Sequence, residues 1–181
     1  MLGDPNFDRS VVLLGHHNED GALGWVLNGR ALSPVAEIVI SVLKLEGEPS
    51  ALPATAAFSR LARSGGPVQP ESGWILLPRS GLPLEGAFFE VGAELVVSSD
   101  VRLLRALAVG QRTEDFRLFL GYAGWGAGQL EAEIGVGAWL PCPLDADLVL
   151  DANVNELWEK GYRTVTGLGV AAFLSTQRGS A

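Results

Sequence analysis

Few residues in the chain could do acid–base, nucleophilic or metal chemistry: two adjacent histidines, His16 and His17, one cysteine, Cys142, and the carboxylates Glu131 and Glu133 beside a glycine-rich run, Gly124-Trp125-Gly126-Ala127-Gly128. An imidazole beside a thiol could form a thiolate pair. The sequence offers no third group to orient the histidine, however, and the prolines flanking Cys142 suit a rigid inert bend equally well. Adjacent histidines on a strand face opposite ways, so one ion does not easily take both, and two histidines with one cysteine give no recognised ligand spacing. Glu131 and Glu133 are two apart on a predicted helix, hence on different faces, which argues against a working carboxylate pair.

The glycine run has the outline of a phosphate-cradling turn but departs from it in detail. The dinucleotide pattern GxGxxG needs glycine at 129, where Gln129 stands, and the GK[ST] ending of a P-loop is missing. Glu131 and Glu133 in the first helical turns suit the helix dipole and would repel a phosphate at the same terminus. The run therefore reads as a tight strand-to-helix turn. No catalytic, cofactor-binding or metal-ligating residue is assigned, and no cofactor is expected.

The element that must carry these groups is Gly121 to Leu140, an apolar strand end, the glycine turn and an amphipathic helix with Leu130, Ile134 and Trp139 on one stripe and Glu131 and Glu133 opposite. Upstream, Ser10–Gly15 and Gly24–Leu27 predict a hairpin whose loop, His16–Ala22, contains both histidines, with Asn18 and Asp20-Gly21 supplying the turn. Ser33-Pro34 opens a helix with Val35, Ile38, Val39 and Val42 at helical spacing up to Gly47. Gly65-Gly66-Pro67 introduces a strand over Trp74–Leu77. Ala87–Val91 and Glu94–Ser98 predict a second hairpin turning at Gly92-Ala93, followed by a helix capped at Ser99 or Asp100 with the stripe Val101, Leu104, Leu107 and Ala108, stopped by Gly110. Phe116–Tyr122 alternates too little for an exposed edge and is placed inside the sheet. Asp147–Leu150 reads as a last strand, and Asn153 as the cap of a helix through Leu157, Trp158 and Tyr162. The expected fold is α/β, with a mixed, largely antiparallel sheet and helices packed against it, and a small second lobe around the loop-rich middle as an option. One domain spans 1–181, with 48–63 as a mobile connector and 176–181 as a frayed tail.

At 181 residues and 48% hydrophobic composition the chain can bury about two thirds of its unfolded surface in a core of its own. A single cysteine allows no internal disulfide, and no basic-then-apolar leader or run of about 18 apolar residues is present, so a soluble cytoplasmic protein is expected. The net charge of −8 opposes nucleic-acid phosphates and acidic membranes, and the basic pairs Arg60/Arg63 and Arg102/Arg105 read as solvated helix faces. Direct binding to nucleic acid or membrane is not expected.

Three blocks, Asp4 to Asn28 (DPNFDRSVVLLGHHNEDGALGWVLN), Gly65 to Val68 (GGPV) and Leu120 to Leu140 (LGYAGWGAGQLEAEIGVGAWL), resemble the signature blocks of the bacterial YqgE/AlgH family. The resemblance implies an α/β fold around a mixed sheet and no established activity; one member is named as a transcriptional regulator of alginate synthesis. Relatives usually carry an additional apolar segment before the first block, so the first strand of the family fold is expected to be missing here, or the start shortened. The strand after GGPV commonly ends in histidine in the family, and Leu77 stands at that place in this chain.

The candidate recognition surface comprises His17 and Asn18 at a hairpin tip, Gly65 and Gly66 at a strand entry, and Trp125 and Gln129 at a strand-to-helix junction. Trp125 lies between glycines. Its ring either plugs the core from a distance or stands partly exposed beside Gln129 and Asn18, where an aromatic face with amide donors would suit a peptide or planar ligand. The expected function is that of a non-enzymatic binding or regulatory protein acting through a protein partner or a small ligand. The alternative is a cryptic hydrolase or redox enzyme with His17, Asn18 and the glycine turns in one pocket.

Overall fold

The computed structural model describes residues 7–45, 52–79, 88–151 and 153–167. Eight strands form one sheet: β1 (Val12–Asn18), β2 (Gly21–Val26), β3 (Ala31–Pro34), β4 (Leu61–Ser64), β5 (Val68–Pro78), β6 (Phe88–Val91), β7 (Leu95–Ser98) and β8 (Arg117–Gly126). Their order is β1-β2-β8-β5-β7-β6, with β4 also lying beside β8 and β3 beside β4. Every pairing is antiparallel except β4 with β8. The sheet curls until β1 approaches β6, which leaves it nearly closed. Six helices complete the described chain: α1 (Val35–Leu43), α2 (Ala56–Ser59), α3 (Val101–Ala108), α4 (Gln129–Gly135), α5 (Ala146–Asp151) and α6 (Leu157–Thr166).

Alternation along the central strands divides the core. Ile75, Leu77, Val96 and Leu118 point to the side covered by α1, α2 and α3, where Val39, Phe58, Leu104 and Leu107 meet them. Leu76, Leu95, Val97 and Phe119 point the other way, into a core with Trp25, Leu27, and Val149 and Leu157 of α5 and α6. β8 runs through the middle, flanked by β5 on one side and by β4 and then β2 on the other, and β7 is buried on both faces. Strands buried on both faces read as unbroken apolar runs, which is why the Phe116–Tyr122 stretch could be placed inside the sheet.

The second hairpin and α3 form where the spacing predicts, with the Asp100 carboxylate accepting the Arg102 N–H at 2.8 Å and Gly110 at φ 73° beyond the helix end; the buried face of α3 is Leu103, Leu104, Leu107 and Ala108, and Val101 of the expected stripe is exposed. Several boundaries differ from the sequence reading. The first hairpin closes in the two residues Glu19-Asp20, because the Asn18 side chain accepts the Asp20 N–H at 3.0 Å and Gly21 takes φ 139°; both histidines are therefore strand residues, not loop residues. β8 continues through Gly126, so Trp125 lies in a strand and the turn is Ala127-Gly128 alone. α4 stops at Gly135, and Trp139 reaches the core from irregular chain beyond it. Ser33 is strand, not cap, since β3 runs directly into α1 and the Val35 N–H is taken by the Arg60 carbonyl. α1 ends with Lys44 in the left-handed conformation, and Gly47 lies outside the described residues. Asp147–Leu150 is helix instead of strand: the Asp145 carboxylate caps the Leu148 N–H at 3.0 Å, a local bond that a short apolar run does not announce. Asn153 closes a turn ahead of α6, accepting from the Asn155 N–H, and Glu156 occupies the cap position. Of the stretch 48–63, residues 48–51 lie outside the described residues, as does the tail 176–181, while the rest of the stretch carries α2 and most of β4.

Candidate functional site

The register of the sheet brings four candidate residues to one end of the molecule. His17 lies across from Ala22, Ala22 across from Trp125, and α4 begins just after the Ala127-Gly128 turn, so His17, Asn18, Trp125 and Gln129 gather around the tip of the first hairpin. Of the two readings open for Trp125, the ring takes the core one: it is 7% exposed and packs with Ala22, Ala123 and Leu130, edge-on to Trp139 with centroids 5.8 Å apart. The Gln129 amide is committed as well, its Oε1 accepting the Gly126 N–H at 3.0 Å and its Nε2 donating to Glu133 Oε1 at 2.8 Å. Glu133 does not face solvent with Glu131. It turns inward to accept both indole N–H groups, from Trp125 at 2.9 Å and Trp139 at 2.6 Å. Burial is the largest single influence on the Glu133 carboxyl and pushes its pKa up, but the bonds from Gln129, Trp139 and Trp125 together outweigh it and hold the group below the usual carboxylate value.

His17 pairs with Glu131, Nε2 to Oε1 at 2.6 Å, with both side chains about half exposed. Glu131 is held below its ordinary pKa first by its own backbone N–H at the start of α4 and then by the His17 bond. A carboxylate orienting an imidazole is one half of a base assembly. Among the described residues no hydroxyl or thiol hydrogen-bonds to His17, the other half that such an assembly needs. Cys142 is exposed and contacts neither histidine; burial and the Asp145 charge push its thiol pKa up, away from thiolate character. Leu77 is fully buried beneath α1 and α3. Among the described residues no group of three or more His, Cys, Asp or Glu side chains could hold a metal, and no helix is long and apolar enough to cross a membrane.

Gly65 and Gly66 lie elsewhere. Gly65 bridges β2 and β8, accepting from Val26 N–H at 2.8 Å and donating to the Leu120 carbonyl at 2.7 Å. A Cβ on Gly65 would fall 2.3 Å from the Gly121 carbonyl oxygen, and one on Gly66, at φ 149°, 2.2 Å from the Tyr122 carbonyl carbon. This close passage of backbones opens on one side into a cleft of about 370 Å³ lined by Asp8, Ser10, Asn28, Arg30, Ser64 and Gly66. Its wall is pinned from behind. Asn28 bonds the incoming chain with both ends of its amide, Oδ1 accepting the Val11 N–H at 2.8 Å and Nδ2 donating to the Arg9 carbonyl at 2.9 Å. The Ser64 N–H donates to the Arg30 carbonyl at 2.9 Å, and Arg63 Nη1 to the Gly29 carbonyl at 3.1 Å. A second hollow of about 330 Å³ shares Asp8 and Asn28 and reaches α6, where the Arg9 guanidinium lies 5.6 Å from the Trp158 ring centroid.

Sequence reasoning named Gly66 and missed the rest of this cleft. The available signal was Asn28-Gly29-Arg30, a turn pair followed by a cation directly after an apolar strand. That signal does not say that residues 8–10 return to the same corner.

The sequence profile of the AlgH-like family matches residues 1–168. A protein of Anaeromyxobacter sp. strain K is 40% identical over 177 residues, covering 96% of this chain and 86% of its own. The AlgH protein of Pseudomonas aeruginosa is 41% identical over 155 residues, 86% of this chain and 78% of that one. The solution structure of Pseudomonas aeruginosa AlgH superposes with a TM-score of 0.73 at 37% identity, covering 96% of this chain and 87% of the other. A crystal structure from Corynebacterium diphtheriae gives 0.64 at 26% identity over 90% and 80%. The resemblance carried by the three sequence blocks is thus borne out, and the chain belongs to the AlgH-like family.

Proposed function

We propose that this chain is a non-enzymatic binding protein whose ligand, a small molecule or a segment of a partner protein, sits in the cleft bordered by Asp8, Asn28, Arg30 and Gly66. The observation that carries the reading is that charged groups line a cleft whose backbone is pinned by the Asn28 amide and the Ser64–Arg30 bond, so the site is formed before any ligand arrives. Regulation of the sort one family member's name suggests would then run through a bound partner, in the cytoplasm, and not through DNA, which the net charge of −8 repels. The enzyme reading rests on the His17–Glu131 pair, which would need a nucleophile or a substrate-borne water to act.

Amide NMR of the labelled protein against a fragment mixture tests the proposal. Binding at the cleft shifts the resonances of Gly29, Arg30 and Gly66 and weakens in Arg30→Gln. Shifts confined to His17 and Glu131, with turnover that His17→Ala abolishes, would overturn it in favour of the enzyme.

A further inference from the structure

Several surface charges pair locally: Arg60 with Asp115, Arg79 with Glu90, Arg102 with Asp100, Lys160 with Glu156 and Arg163 with Glu159. Asp8 and Arg30 line the same cavity, yet among the described residues neither makes an ion pair with the other or with any third group. The main chain at each is held in place, the Arg30 carbonyl by the Ser64 N–H and the carbonyl of Arg9, next to Asp8, by the Asn28 amide. A plain anion entering here would meet the Asp8 carboxylate, and a plain cation the Arg30 guanidinium. A ligand carrying both charges at a fixed separation satisfies both walls at once.

Resting on the binding reading above, we infer that the cleft takes a small zwitterion, with a carboxylate on Arg30 and an ammonium on Asp8, and the Ser64 hydroxyl available to the atoms between them. The volume of about 370 Å³ lies near the lower end of small-ligand sites and suits an amino acid or a very short peptide with both termini free. Free amino acids and peptide termini share this chemistry and differ in the distance between the two charges.

The experiment is an NMR titration of the full chain, reading the Gly29 and Gly66 amides, with glycine, glycylglycine and triglycine to set the charge spacing. N-acetyl-glycylglycine and glycylglycinamide each remove one charge. The expected result is that one zwitterion binds at least about tenfold more tightly than its two blocked forms. Arg30→Gln erases only the advantage of the free carboxylate and Asp8→Asn only that of the free amine, whereas a merely structural loss would weaken all ligands alike. Equal binding of blocked and unblocked peptides, or Arg30-dependent binding of inorganic phosphate alone, overturns the zwitterion. Neutral fragments binding at these amides while every zwitterion fails would overturn this ligand class and leave the binding cleft standing; silence of all probes overturns both.

Discussion

The indole N–H groups of Trp125 and Trp139 converge on a single carboxylate oxygen, Oε2 of Glu133, at 2.9 and 2.6 Å, while Oε1 accepts from Gln129. One side chain on α4 thereby ties down the end of β8, the chain after the helix and the helix start. Phe7 packs against both rings at 6.3 and 5.5 Å. Replacing Glu133 by alanine leaves two indole donors in a part-buried site without their acceptor, and the expected cost is about 1–3 kcal/mol. Glu133→Gln keeps a neutral acceptor and should lose less. Urea unfolding of both variants checks this; curves that overlay the parent would show that the bonds contribute nothing.

The same carboxylate gives a pH dependence with a definite sign. Its native pKa is depressed below the ordinary value of about 4.3, so the unfolded state binds the proton first as pH falls. Its contribution to stability is complete above that ordinary value and is lost as pH drops through the native pKa. Unfolding free energy measured between about pH 6 and pH 3 should therefore fall less steeply in Glu133→Gln than in the parent. Parallel slopes would remove Glu133 from the acid response.

Trp125→Ala should cost about 3 kcal/mol or more, because the ring is enclosed by Ala22, Ala123 and Leu130. Trp125→Phe should recover part of the loss while forfeiting the bond to Glu133. A thermal melt of Trp125→Ala close to that of the parent would return the residue to the recognition surface.

The second hairpin, α3 and the interior position of β8 were legible in the sequence because each is stated locally, by alternation, a capping Asp100 or an apolar run. What was not legible depends on long-range pairing. Glu133 looked like a solvent-facing acid because helical periodicity cannot see Trp139 return from beyond the helix end. The fate of Trp125 turned on β8 continuing to Gly126, which its pairing with Gly21 of β2 sustains. The cleft escaped notice because Asp8 and Arg30 are brought together by the Asn28 amide bonding residues 9 and 11, a contact without a periodic signature.

His17 and Glu131 form an exposed pair, so His17→Ala should leave the thermal midpoint nearly unchanged. Its effect appears in the titration of Glu131, followed by carbonyl-carbon NMR. Removing the imidazole should raise the Glu131 midpoint without restoring its ordinary value, since the larger influence is its own backbone N–H at the start of α4. An unmoved midpoint would mean that the pair does not form in solution, and full restoration would mean that the backbone influence is absent.

Gly66 and Gly73 flank the first part of β5 and should respond oppositely to alanine. A Cβ at Gly66 meets the backbone of Tyr122 at 2.2 Å for the carbonyl carbon and 2.3 Å for its oxygen, atoms held in the middle of β8, and φ 149° is poorly open to an L side chain. Neither neighbour can yield without moving the central strand, so Gly66→Ala should cost at least about 2 kcal/mol from overpacking and backbone strain together. At Gly73 nothing lies within 4 Å of the added methyl and the backbone is ordinary, so Gly73→Ala should be neutral or slightly stabilising through the unfolded chain. Equal melting temperatures for the two variants would show that β5 passes β8 less closely than these distances state, and the glycine pair would then be free to serve the cleft and not the sheet.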